Sequence, residues 1–145
     1  RPGDGALPVR SGLNGGLRIP AGMDSIAYTL PGGAEAQAIE MSLSGGRFVY
    51  LGHALHAGTD PAWVAESAAR FGGADWLLVG VPEEGGAGVV AHVGAFGASQ
   101  LMIADIRPPK RSNKISTHIA LSVDQLKTSG HPVMGVAPQV SVRFE

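Results

Sequence analysis

The chain has 145 residues, with 11 Lys+Arg against 12 Asp+Glu and a formal net charge of −1, so it carries no overall positive field that would hold nucleic acid or an anionic membrane. It contains no cysteine, which excludes disulfides, thiolate metal sites and a cysteine nucleophile. No apolar run reaches the length of a membrane span, while 22 glycines and 10 prolines in one chain call for many turns and irregular connections.

The size fits one domain over 1–145, and the short apolar stretches predict an α+β fold. Its expected core is a twisted, mostly antiparallel sheet with one or two short helices. Residues 1–22 are glycine-rich and weakly patterned, and are read as an irregular N-terminal arm. The opening "RPGDGALPVR" lacks the basic start and apolar centre of a signal peptide and has no initial methionine. Both features fit a secreted product or part of a larger processed protein.

"SIAYTL" reads as a strand closed by the turn signal "PGG". "AEAQAIEMSL" combines good helix formers and predicts a short helix over 34–43 that stops at "SGG". "RFVYLGHAL" is again strand-like. The clearest helix follows at Pro61 to Phe71, with Asp60 as N-cap, Pro61 in the first position and Gly72–Gly73 at the stop. Trp63, Val64, Ala68 and Phe71 form its apolar stripe.

"DWLLVGV" is a near-continuous apolar run, as in a strand buried on both faces. "PEEGGAG" is a loop, "VVAHV" and "SQLMIADI" are strands around the turn "GAFGA", and "RPPKRSNK" is a polar loop. "ISTHIAL" alternates like a strand, "SVDQLKT" forms a capped turn of helix, and "VMGV" and "VSVRF" close the chain as strands. The predicted core contains Trp63, Phe71, Trp76, Leu78 and Val79.

The candidate chemistry is sparse. His53 and His56 in "HALH" stand between a strand and the capped helix, but the glutamate of an HExxH site is missing, so no metal is assigned. His92, His118 and His131 are scattered, and which of them join the pair in space is left open. Arg107, Lys110 and Arg111 concentrate positive charge in one loop and are candidate ligand-binding residues, with His56 beside them. Glu83 and Glu84 read as solvent-facing. Neither GK[ST] nor G-x-S-x-G occurs, so turn-making accounts for the glycines.

Taken as an order of elements, "FVYLGHA", "DPAWVAESAARF", "DWLLVGV" and "SQLMIADIRPP" resemble the second half of cholera-toxin-like ADP-ribosyltransferase domains, over about half the chain. Leu51, Gly52 and His53 stand where that family has its serine motif, and Leu101 and Met102 follow Gln100 where the catalytic glutamate belongs. The resemblance implies NAD as cofactor, a catalytic role for Gln100 and a neighbouring role for His53. It also implies an NAD-binding arginine, either Arg10 or Arg18. A carboxylate from elsewhere, such as Glu40, Glu66 or Glu84, would have to replace the missing one.

Two functions follow from these readings. The first is a small binding or effector-like domain that recognises a protein partner through its glycine-rich loops. The second is a divergent NAD-using enzyme. The missing motif favours the first.

Overall fold

The computed structural model describes residues 23–30, 32–44, 46–106 and 117–140. Six strands form one sheet in the order β1-β2-β3-β4-β5-β6, so every strand lies beside its neighbour in sequence. They are β1 (Asp24–Thr29), β2 (Glu35–Leu43), β3 (Gly46–Gly52), β4 (Trp76–Gly80), β5 (Gln100–Ile106) and β6 (Val133–Val140). The helices are α1 (Pro61–Phe71), α2 (Ala87–His92), which runs into a 3₁₀ turn at Val93–Phe96, and α3 (Thr117–Thr128).

The α+β architecture is as expected, but the sheet is mixed rather than mostly antiparallel. β1, β2 and β3 pair antiparallel, while the three pairings from β3 to β6 are parallel. Each parallel pairing needs a crossover, and α1, α2 with its 3₁₀ turn, and α3 supply one each. Right-handed crossovers between strands taken in sequential order put all three helices on the same face.

Burial along the strands follows that arrangement. Val49, Leu51, Leu77, Val79, Leu101 and Ile103 are buried beneath the helices. Phe48, Tyr50, Trp76, Leu78 and Met102 point to the other face and are half-buried. β4 is therefore not sealed on both faces. Phe71 and Val79 belong to the core and Trp63 packs against it, but Leu77 takes the central place predicted for Trp76 and Leu78.

Three elements differ from the sequence reading. Residues 35–43 form a strand despite their helix propensity, because β2 is held on both sides by β1 and β3. The positive φ of Gly33 (96°) and Gly46 (131°) closes the two hairpins. "VVAHV" is helical, with Val89 and Val93 both buried at a spacing of four. The described part of "ISTHIAL" is the first half of α3, where Ile119, Ser122 and Leu126 face inward. The predicted arm 1–22 and residues 141–144 of "VSVRF" lie outside the described residues.

α1 forms as its sequence dictates. The Asp60 carboxylate accepts from Ala62 N at 2.9 Å, and the Gly72 N–H closes on Ala68 O. Its inward face is Val64, Ser67 and Phe71, and the Ser67 hydroxyl is satisfied by donating to Trp63 O at 2.7 Å. Trp63 Nε1 donates to Ala27 O at 2.7 Å, and its ring meets Tyr28 edge-on at 5.8 Å. At the other end of the strands, Arg47 Nε donates to Glu40 at 2.8 Å and Nη1 to Gly72 O at 3.0 Å, which clamps β2, β3 and the end of α1. Among the described residues no helix is long and apolar enough to cross a membrane.

α2 sits directly on the loop after β3: a Cβ at Gly88 would lie 2.5 Å from the backbone carbonyl of His56. Because the obstruction is main chain, it cannot rotate away. Gly88→Ala is expected to cost about 1–3 kcal/mol in urea unfolding. Gly135→Ala, with nothing within 4 Å of the added carbon, is expected to stay within about 0.5 kcal/mol of the parent.

Candidate functional site

Loops that leave the carboxyl ends of parallel strands converge on one edge of such a sheet, and ligands of α/β folds bind there. Here that edge collects residues 53–60 after β3, residues 81–86 after β4 and the first turn of α3. Asp105, buried near the end of β5, lies at the same edge.

His53 and His56 have separate roles. The His56 Nδ1 accepts from Gly58 N at 3.1 Å, so the ring proton is on Nε2, which donates to Thr29 O at 3.0 Å. Its backbone N–H donates to Thr59 Oγ1 at 2.8 Å, and that hydroxyl donates to Ala54 O at 2.7 Å. His56 is thus a buried brace between β1 and the loop. Both ring nitrogens are committed to bonds within the fold.

His53 follows Gly52, whose φ of 57° is left-handed and whose missing side chain leaves room for the Tyr28 hydroxyl. The His53 backbone N–H lies close enough to that hydroxyl to oppose the rise in its pKa. Its imidazole is half-buried, and Nε2 is sealed from solvent with no hydrogen-bond partner. Burial pushes its pKa below the ordinary histidine value, and His118 and His56 act in the same direction against the opposing pull of Glu83. Burial also raises the Tyr28 phenol, helped by Tyr50, and raises Tyr50 itself. Both phenols therefore stay protonated donors throughout the physiological range.

The other predicted residues divide. His118 joins His53 at the carboxyl edge, whereas His131 lies with Gly94 near the start of β6. Gln100 is level with Trp76 and Phe48 at the opposite edge. His53 is five residues beyond Phe48, about 16 Å along the strand, so Gln100 and His53 do not share one site. Of the carboxylates that could replace the missing glutamate, Glu40 is engaged by Arg47 and Glu66 is exposed on α1. Glu84 accepts from Ala57 N at 3.2 Å and links two loops of the carboxyl edge. Arg107, Lys110 and Arg111, together with Arg10 and Arg18, lie outside the described residues.

Beside this edge runs an open groove of about 810 Å³ between α2 and α3. Val90, Ala91 and Leu121 give it apolar walls, Gly85 and Gly86 a close-set end, and His118 lines it beside Ser122. Leu121 is 59% exposed. Two contacts fix the wall: Ser122 Oγ donates to His118 O at 2.8 Å, and a Cβ at Gly86 would lie 1.9 Å from that same Oγ. Reading "ISTHIAL" as a strand hid this face, because only helical spacing puts His118, Leu121 and Ser122 together. A second cavity of about 270 Å³ adjoins Tyr28, His56 and Trp63, where the imidazole and indole nitrogens are already bonded internally. Among the described residues no group of three or more His, Asp or Glu side chains is arranged to hold a metal ion.

Comparison with protein-family models, curated proteins and solved structures gave no match for this chain.

Two outcomes follow from the histidines. His56→Ala removes a buried brace and is expected to cost about 2–4 kcal/mol by chemical denaturation, since it leaves Thr29 O and Gly58 N unpaired. For His53 the folded pKa lies below the unfolded one, so the unfolded chain binds more protons between the two values. Stability is then greatest above about pH 6.5 and falls as the pH drops from there through the folded value. His53→Phe should flatten that part of the profile in melts taken across it.

Proposed function

We propose that the chain is a small binding domain, effector-like in character, that recognises a protein partner through the groove between α2 and α3. The exposed Leu121 at the mouth of that groove carries the reading. A large aliphatic side chain held in solvent is worth about 1.5–3 kcal/mol when a partner covers it. Val90 and Ala91 continue the apolar surface, and Gly85 and Gly86 allow a partner backbone to come close. Helices that are themselves braced present this surface with little left to order on binding, which favours affinity. An open trough of this kind suits a protein segment better than an enclosed small molecule.

The test is affinity capture with quantitative proteomics, comparing the parent chain with Leu121→Asp and with Leu43→Asp. Leu43 is 57% exposed at the end of β2, away from the groove, and controls for surface hydrophobicity. A partner retained by the parent and by Leu43→Asp, but reduced at least about tenfold by Leu121→Asp, is the expected result. Equal loss in both variants removes the groove reading. NAD is expected to leave the melting temperature unchanged, and a rise with NAD would transfer the assignment to the NAD-using alternative.

A further inference from the structure

We propose that His56, Trp63 and Arg70 seal the free edge of β1, and that this seal keeps two copies of the chain from joining their sheets through that strand. The inference is independent of the groove between α2 and α3.

Among the described residues β1 pairs with β2 alone, so its far side is a sheet edge. Which main-chain groups face that side follows from the hairpin. Leu30 N donates to Ala34 O at 2.7 Å, and counting back along the register puts Tyr28, Ile26 and Asp24 in hydrogen-bonded pairs with Ala36, Ala38 and Glu40. Ser25, Ala27 and Thr29 therefore turn their main-chain groups away from β2. A row of outward N–H and C=O groups is a template on which another strand can pair.

The three carbonyls of that row are all engaged. His56 Nε2 donates to Thr29 O at 3.0 Å, Trp63 Nε1 to Ala27 O at 2.7 Å and Arg70 Nη2 to Ser25 O at 3.1 Å. The Ser25 N–H donates to the Asp24 carboxylate at 2.9 Å, and Asp24 in turn pairs with Arg70. The donors recur every seven residues, and on α1 that interval is two turns, which sets Trp63 and Arg70 on one side of the helix. As the donors advance along the chain, their acceptors step back by two along β1. A strand that added to this edge would bring N–H groups to oxygens already bonded.

The strand held off is β1 of a second copy. An antiparallel pairing centred on Ala27 sets Ser25 against Thr29 and Ile26 against Tyr28, with no like charges opposed. Such a contact is the same patch on both copies, as a twofold dimer requires.

Light-scattering mass measured across a concentration series for the double variant Trp63→Phe, Arg70→Met tests the seal, with circular dichroism to confirm the fold. Both changes keep most of the side-chain body and remove the donor. The expected result is a folded chain that self-associates at least about tenfold more tightly than the parent. Ala27→Pro on that background removes an outward N–H without touching the hairpin bonds, and should return the mass to that of the parent. The seal is overturned if the folded double variant keeps the parent's mass throughout, or if its association survives Ala27→Pro. A parent that already associates, and stops when Ala27→Pro is introduced, overturns it as well. Should the double variant not fold, Trp63→Phe alone is held to the same criteria. Association that Leu121→Asp removes and Ala27→Pro does not would belong to the groove and overturn the seal.

Discussion

Everything in this fold turns on β3, which pairs antiparallel with β2 on one side and parallel with β4 on the other. That change of direction divides the sheet into a hairpin half, closed by tight turns, and a crossover half, in which each new strand needs a helix to return the chain. The hairpin half contributes a wall, including Tyr28 and the Thr29 carbonyl. The crossover half contributes loops that all open at one edge. His53 and His56 fall where the two meet, and β1 therefore reaches the loop that follows β3.

The interactions at that junction are unequally satisfied. Thr59, His56 and Asp60 make a closed set of local hydrogen bonds that finish one element and begin the next. One position nearer the strand, Gly52 turns left-handed, and His53 is carried into a place where one ring nitrogen has nothing to bond. Close by, α2 is seated by Gly88 on the His56 backbone, and Gly86 is seated on Ser122 of α3. The groove between α2 and α3 opens beside the same edge, lined by His118 and Ser122.

Much of the scaffold was legible from local signals. Asp60-Pro61 and the paired glycines marked α1 because capping chemistry is local, and the apolar runs of β4 and β5 left little alternative. β2 was not legible, since Glu, Ala, Gln and Met favour a helix until two neighbouring strands supply hydrogen bonds that a sequence pattern does not display. α2 was missed for the opposite reason, because a five-residue apolar stretch has too few turns to show its period. At the site, His53 could be singled out, but the fate of each histidine could not. His56 is satisfied by Thr29, 27 residues away, and His53 is joined by His118 across two crossovers. Leu121 gave no signal, since exposure of an aliphatic residue depends on the face its helix happens to turn outward.

The two tryptophans occupy opposite faces of the sheet. Trp63 projects from α1 onto β1 with its indole N–H bonded to a strand carbonyl, and Trp76 is half-buried on the other side. The emission of this chain is accordingly a sum of two reporters on opposite faces of the sheet. A conservative replacement of either by Phe would leave a single intrinsic fluorophore that senses one face of the molecule alone.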